Sequence, residues 1–561
     1  MYSDREENER PLESRRHGRE IEPKDLSEER AEWPQYSSTV PPLTSPMEPP
    51  TDSPTEMILD RAPARTGLLP LPTFPRNSAP YLFDDGTGAG PSMVDFEGQV
   101  ERHAKRLKHL EIERLIWVSD NCSEWPILEL AAYRARVVLI PIDSSATWEH
   151  LDHLINVTGS DAILTADPDR IEAQLGGGEP LPPTWNCRGW RIPPRGRVPA
   201  IPAETARITF TRGVTGPPRG VCHSLDQIWA GARVLHQALK TSRYDAHLAL
   251  MSLADLGVAQ WTMLDPLISG GNSILPPLAP LGLAPGMVPD SQAIHTLISE
   301  CEPTTLIMTP QILEAWLGVL PPYRPVKFSR LRTVVVVGAP ISRPVRRHAK
   351  EIGLPIHEGY GLRECGALIA MNTAREQLDG SVGRPLDAYT VRIASDGELW
   401  VKGPSSLGTL GLEGFAPAGV ECPTGDIAFI DAAGFLSLQG RKKSRIITKA
   451  GRKLCPEWIE DALRSQSAIE DAFVFGHDKP RLSAALVPRA GHEAEVGRAF
   501  ERVNQGLPES ARIGSWYLLA EPLSYEARTL TAAGHPNRDE IYARAHQHLY
   551  EDPRPESGRT P

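Results

Sequence analysis

The sequence predicts a mixed α/β protein: a large N-terminal domain of β-sheets layered with helices, a hinge, and a small C-terminal α+β domain. Two observations predict it. From about residue 90 onward, short apolar runs rich in β-branched residues alternate with stretches of helical spacing. Such alternation is the pattern of sheets covered by helices. After residue 440 the pattern restarts as a shorter set of elements. The expected layout is therefore a tail over 1–67, a large domain over 68–440, a small domain over 441–553 and a closing tail over 554–561.

The elements follow in order. FEGQVERHAKRLKHL has helical spacing, and RLIWVSD, RVVLIPI and DAILTAD read as strands. Later strands are expected at ARITFT, HLALMSL, TTLIMTP and RTVVVVG. In the small domain, PEWIEDAL reads as a helix, DAFVFG and LSAALVP as strands, and RDEIYARAHQHLY as a final helix. Residues 1–67, with stretches such as VPPLTSPMEPPTDSPTE, are too poor in apolar side chains to offset chain entropy, so disorder is expected there. The same holds for 554–561.

Composition narrows the function. Apolar residues make up 40% of the chain and charged residues 23%, ordinary for a globular protein. The net charge of −11 argues against a broadly basic nucleic-acid surface but leaves room for a local phosphate-binding patch. No run of 18 apolar residues is present, so no transmembrane helix is expected. The start MYSDREENERPLESRRHGRE is charged and lacks an apolar core, so no secretory signal is expected there. Cysteines at 122, 187, 222, 301, 365, 422 and 455 show no CxxC spacing, which supports neither a zinc site nor a disulfide framework and fits a reducing cytoplasm.

The strongest local feature is TFTRGVTGPPRGVCHS, residues 209 to 224. A strand runs into a loop with glycines at 213, 216 and 220, and a helix follows. Ser224 and Gln227 are spaced for a capping box at its start. Glycines let backbone N–H groups approach a phosphate, Thr211 and Thr215 offer hydroxyl donors, and Arg219 supplies fixed charge. No Walker GK(S/T) is present. By composition alone the segment reads equally as a plain glycine-rich turn.

The loop resembles the phosphate loop of the adenylate-forming superfamily: acyl-CoA synthetases, peptide-synthetase adenylation domains and luciferases. That loop reads roughly S/T-SGTTGxPKGV; here it is TRGVTGPPRGV. Four further segments follow in the family order. VGAPI (337–341) resembles the GGAP turn, EGYGLRECG (358–366) the YGxTE motif, GELWVKGP (397–404) the glycine-rich segment before the ribose site, and residues 423–460 the TGD and hinge regions. The likeness covers roughly residues 70 to 550. VCHS, SVGRPL and TAAGHPNR place it closest to bacterial acyl-CoA-synthetase-like proteins whose last motif reads TxNGRxRR.

The resemblance implies a role for each matched residue. Thr211, Gly213, Thr215 and Gly216 would cradle phosphate, with Arg219 at the loop lysine. Gly338, Ala339 and Pro340 would hold the adenine, and Tyr360 beside Gly361 would stack on it. Glu364 would bind Mg2+, a hard cation suited to oxygen ligands. Asp426 would accept both ribose hydroxyls, and Arg441 would contact ribose or phosphate. Lys443 stands at the hinge position and reads equally as an ordinary exposed lysine.

Five phosphate-side positions depart from the family: Arg212 for the loop serine, Val214 for a loop hydroxyl residue, Arg219 for lysine, Arg363 for the Ser/Thr of YGxTE, and His535 for the late catalytic lysine or the arginine of the closest subgroup. Pro536 suits the first position of the closing helix, which would set His535 at a helix N-terminus that disfavours a cation. Arg538 is the candidate replacement. The resemblance implies ATP- and Mg2+-dependent activation of a carboxylic acid, a fatty or other acyl acid, to an acyl-adenylate, with transfer to CoA or the phosphopantetheine of a carrier protein. The competing expectation is an impaired pseudoenzyme that binds nucleotide or acyl ligand and regulates or scaffolds a partner.

Overall fold

The structure, a computed structural model, describes residues 68–69, 83–84, 93–175, 178–182, 187–193, 198–211, 218–285, 287–321, 328–519, 521–524, 527–530, 536–546 and 548–549. Both expected tails lie outside the described residues. Within these limits the chain is a mixed α/β protein.

Two large sheets carry the first domain. In one, the strands run in the order Phe83–Asp84, Asn272–Ile274, Ala246–Ala249, Thr305–Met308, Thr333–Val336, Ile356–Leu362, Ala367–Met371 and Arg384–Pro385. Its first six strands pair in parallel and the last two are antiparallel. In the other, Arg114–Val118 sits between Val138–Ile142 and Ala162–Thr165, all parallel. Both sequence patterns follow from burial. Val138–Ile142 and Thr333–Val336 are buried along their whole length, so they read as unbroken apolar runs.

The helix Leu225–Leu239 shows how local signals set an element. Ser224 Oγ accepts from the Gln227 N–H at 3.3 Å, and Gln227 Oε1 accepts from the Ser224 N–H at 2.9 Å, so the capping box is formed. Ile228, Trp229, Ala232 and Leu235 fall on the buried face that their spacing predicts.

A four-stranded antiparallel sheet follows, in the order Thr390–Ile393, Glu398–Lys402, Cys422–Ile430, Leu436–Arg441. Beyond it, Ile469–Phe475, Leu482–Pro488 and Ile513–Leu518 form a three-stranded sheet. With the helices Glu457–Arg464 and Val496–Gly506 it encloses a separate apolar core around Ile459, Leu463, Leu486 and Phe500.

One expectation is corrected. The closing helix runs over Arg538–His546, and Pro536 lies before it in a bridge to Leu530. Asn537 is the cap: its carbonyl accepts the Ile541 N–H at 3.0 Å and its Oδ1 the Glu540 N–H at 3.4 Å. A side-chain acceptor caps a helix start more effectively than proline, which has none.

Candidate active site

Two expected residues, Tyr360 and Arg441, converge on the carboxylate of a third, Asp426. Asp426 and Arg441 are register partners on adjacent antiparallel strands. Tyr360 comes from the neighbouring sheet and donates its hydroxyl to Asp426 Oδ2 at 2.5 Å. Arg441 Nε lies 2.9 Å from Asp426 Oδ1. Asp426 is buried, and burial lifts its carboxyl above the usual range while the Arg441 charge opposes the lift. Burial and the adjacent Asp426 charge push the Tyr360 hydroxyl far up, so it stays a donor.

A carboxylate offers about four lone-pair sites. Tyr360 and Arg441 use two, leaving room for both hydrogens of a vicinal diol. The local chain is pinned. The Asp426 N–H donates to Thr424 Oγ1 at 3.1 Å, and the Gly425 N–H to Glu398 Oε1 at 3.0 Å. Gly425 stands at φ +72°, left-handed backbone that favours glycine.

The 338–340 turn, expected to hold adenine, follows the strand that pairs with the Tyr360 strand. Val336 is level with Glu358 in the parallel pairing of their strands. Two residues further along each chain come Gly338 and Tyr360, at the carboxyl end of the sheet where ligands of α/β folds bind. Gly338, Ala339 and Pro340 are exposed, and Gly338 has φ +93° with open space where a Cβ would point. Gly361 has a packing reason of its own: a Cβ there would lie 2.0 Å from the Ala367 carbonyl oxygen.

Glu364 sits in the short turn Arg363–Cys365, half-buried. Among the described residues its carboxylate makes no hydrogen bond or ion pair, and its charge reaches Asp426. No group of three or more His, Cys, Asp or Glu able to hold a metal occurs among the described residues. A half-buried carboxylate with no protein partner among the described residues has the oxygen chemistry to serve Mg2+ as a single protein ligand alongside nucleotide phosphates.

On the phosphate side, Thr211 and Arg219 close the base of the glycine-rich loop. The Thr211 N–H donates to the Arg219 carbonyl at 2.8 Å, and the Arg219 N–H to Thr211 Oγ1 at 3.1 Å. Gly213, Thr215, Gly216, Arg212, Val214 and His535 lie outside the described residues. Arg363 is held by a residue that the sequence did not single out: its Nη2 lies 2.8 Å from Asp255 Oδ2. Its Nε is buried with no partner among the described residues. Asp255 also caps a short helix through the Gly257 N–H at 3.0 Å. The loop before it is clamped by the fully buried Arg207, which pairs with buried Glu129 and donates to the carbonyls of Leu253 at 2.7 Å and Ala254 at 3.0 Å.

Lys443 is exposed in a turn after the Arg441 strand. The Arg441 N–H donates to Glu457 Oε1 at 3.0 Å, tying this strand end to the helix Glu457–Arg464. Arg538 is not available as a substitute cation. Its Nη2 lies 2.8 Å from Oε1 of buried Glu460 and donates to the Val474 carbonyl at 2.9 Å. The pairing of an arginine with a buried carboxylate explains its place in the sequence without a catalytic role.

A layered α/β domain with the Tyr360–Asp426–Arg441 cluster, followed by a small α+β domain, is the architecture of an adenylate-forming enzyme. The chain matches the AMP-binding enzyme family over residues 82–410 and the AMP-binding enzyme C-terminal domain over residues 443–550, and it belongs to that family. It is 25% identical over 487 residues to a long-chain-fatty-acid–CoA ligase, FadD15, of Mycobacterium bovis, covering 72% of this chain and 78% of that one. It is 26% identical over 336 residues to a 2-succinylbenzoate–CoA ligase of Listeria innocua, covering 58% of this chain and 63% of that one. Its fold matches O-succinylbenzoate coenzyme A synthetase from Bacillus subtilis in complex with AMP, with a TM-score of 0.65 and 19% identity over 85% of this chain and 96% of that one. Among the described residues no helix is long and apolar enough to cross a membrane.

Proposed function

We propose that the protein activates a carboxylic acid with ATP and passes the acyl group to a thiol. A carboxylate oxygen attacks the α-phosphorus, forming the acyl-adenylate and releasing pyrophosphate. The thiol then displaces AMP from the acyl carbon and loses its proton, giving a thioester. CoA is the thiol favoured by the relatives, whose printed names are CoA ligases.

The observation that carries the reading is the Tyr360–Asp426–Arg441 cluster, a buried carboxylate with two acceptor sites left for a ribose. Asp426 would hold the sugar, the 338–340 turn the base, Thr211 and Arg219 the phosphate loop, and Glu364 the Mg2+ that neutralises phosphate charge when bound. Arg363 brings a guanidinium beside Glu364. The swing between half-reactions would use the 441–443 segment as its hinge.

A second reading, a nucleotide-binding pseudoenzyme, is favoured by one observation: Arg538 is committed to Glu460, so it cannot supply the cation that the His535 position lacks. The test is pyrophosphate release on adding Mg·ATP and a panel of fatty and aromatic acids. Release dependent on acid and lost in Asp426→Ala supports the enzyme. ATP binding with no release from any acid supports the pseudoenzyme.

A further inference from the structure

Seven cysteines are scattered along the chain, and two of them meet. Cys365 closes the turn Arg363–Cys365, directly after Glu364, and Cys422 opens the strand Cys422–Ile430 that carries Asp426. One strand brings them together. Cys422 is level with Val401 on Glu398–Lys402, and the chain leaving that strand runs along the turn: the Ser406 N–H donates to the Glu364 carbonyl at 2.8 Å. The two side chains pack in one apolar cluster, and their thiols are hydrogen-bonded to each other.

The two thiols are unequal. Cys365 is fully buried, whereas Cys422 is half-buried and follows the exposed residues 416–420. The hydrogen bond from Cys365 holds the Cys422 thiol below the usual cysteine range, against the opposing effect of burial. The same bond, with burial, pushes the Cys365 thiol far up. Cys365 is therefore the donor and Cys422 the readier thiolate, the form that reacts. Four other cysteines differ: burial pushes the Cys122 thiol up to about 11, those of Cys187 and Cys222 up to about 12, and raises that of Cys455.

A disulfide draws two sulfurs to about 2.05 Å, closer than a hydrogen bond brings them, so the backbones must absorb the difference. The Cys365 side has little slack. The Tyr389 hydroxyl donates to the Cys365 carbonyl at 3.0 Å, and Gly366 stands at φ +82° with the Pro404 carbonyl oxygen 2.2 Å from where a Cβ would lie. The shift therefore falls mainly on the start of the Asp426 strand. That strand is already irregular there, because its register against Glu398–Lys402 slips between Pro423 and Ile427, the stretch that holds Asp426.

We propose that Cys365 and Cys422 close a reversible disulfide with peroxide as the oxidant, and that the bond displaces Asp426 and weakens nucleotide binding. The Cys422 thiolate attacks peroxide. An S–O bond forms and the O–O bond breaks, so the sulfur is oxidised to a sulfenic acid while the peroxide is reduced to hydroxide, which takes up the thiol proton as water. The Cys365 sulfur then attacks the sulfenic sulfur. The S–S bond forms, the S–O bond breaks, and the hydroxide leaves with the Cys365 proton as a second water. A dithiol such as dithiothreitol returns both thiols by exchange. The effect on nucleotide rests on the acid-activating reading, whereas the bond itself does not.

Two measurements on the full chain, before and after hydrogen peroxide, test it. Trypsin releases Cys365 in residues 364–375 and Cys422 in residues 403–441, each as the single cysteine of its peptide. Mass mapping without reductant should find these two peptides joined with the loss of two hydrogens, and dithiothreitol should part them. Calorimetry should show Mg·ATP affinity falling about 10-fold or more on oxidation, within the scale of an ångström-sized misplacement, and recovering with dithiothreitol. Cys365→Ser and Cys422→Ser should each bind Mg·ATP like the reduced parent and lose the response. Peptides that stay separate in the oxidised parent overturn the disulfide. Equal affinity in the oxidised and reduced parent overturns the switch, as does a response that persists in both serine variants. A reduced parent that binds no Mg·ATP overturns the acid-activating reading and the switch with it, while the peptide map still decides the disulfide.

Discussion

The Tyr360 hydroxyl stands 2.5 Å from Asp426 Oδ2, while Arg441 Nε holds the opposite oxygen at 2.9 Å. The cluster joins two sheets, since Tyr360 lies on the strand Ile356–Leu362 and Asp426 on Cys422–Ile430. Asp426→Ala should weaken ATP binding by about 1–3 kcal/mol, the range for lost charged hydrogen bonds. Tyr360→Phe should cost less, about 1 kcal/mol, because it removes one donor and keeps the ring. Titration calorimetry checks both, and unchanged ATP affinity in a folded Asp426→Ala protein would refute the ribose assignment.

The late-lysine position allows a gain-of-function test. His535→Lys should raise acid-dependent pyrophosphate release by about 10- to 1000-fold, the scale of a restored electrostatic contact at a transition state. Arg538→Gln should act differently. It strands the carboxylate of Glu460, whose side chain is 3% exposed, and should cost about 3–5 kcal/mol of stability. A drop in melting temperature without one in rate per folded molecule is the expected result. Selective loss of adenylation in a fully stable Arg538→Gln protein would restore Arg538 to catalysis.

Asp255 Oδ2 lies 2.8 Å from Arg363 Nη2, so a nucleotide phosphate reaching this guanidinium would compete with that carboxylate. Asp255→Asn should therefore tighten ATP binding by roughly 3- to 10-fold, about 1 kcal/mol, within the range for a charged hydrogen bond. In a double-mutant cycle with Arg363→Gln that gain should vanish. Additive effects would mean that Arg363 does not face the phosphates.

His223 sets an acid limit on stability. It is fully buried beside the charge of Arg207, and both ring nitrogens lack partners among the described residues. Burial, with Arg207 adding, lowers its pKa from 6.5 to about 3. Above pH 6.5 neither folded nor unfolded chain binds this proton. As pH falls from 6.5 toward 3 only the unfolded chain does, so stability drops by about 1.4 kcal/mol per pH unit. His223→Leu should shrink the difference in melting temperature between pH 7.5 and pH 5. An unchanged difference would show that other groups govern the acid limb.

The hinge should be visible to protease. Limited proteolysis is expected to remove residues 1–67 first and to cut next near residue 440. Glu457→Ala should speed it, because Glu457 holds the Arg441 N–H at 3.0 Å. Mass-mapped fragments would locate the cut, and one resistant body would count against a hinge there.

The sequence by itself determined the α/β architecture, the membership of the AMP-binding family and the capped helix Leu225–Leu239. Those signals are local: unbroken apolar runs for the buried strands, the Ser224–Gln227 spacing for the cap, short motifs for Tyr360 and Asp426. It read the closing helix from Arg538 but also set Pro536 at its first position, because proline and asparagine both fit helix starts and only the packed chain shows that Asn537 caps it. Tertiary structure alone decided what each charge faces. Asp255 and Arg363 are 108 residues apart, and Arg207 reaches Glu129 across 78. An ion pair at that separation leaves no periodicity or spacing in a chain, since its geometry is set by how sheets and loops pack. The same is true of Arg538, which reads as a spare cation in sequence and proves to be the partner of a carboxylate 78 residues earlier. Its pairing with buried Glu460 follows from how the small domain packs, and that packing is a property of the fold.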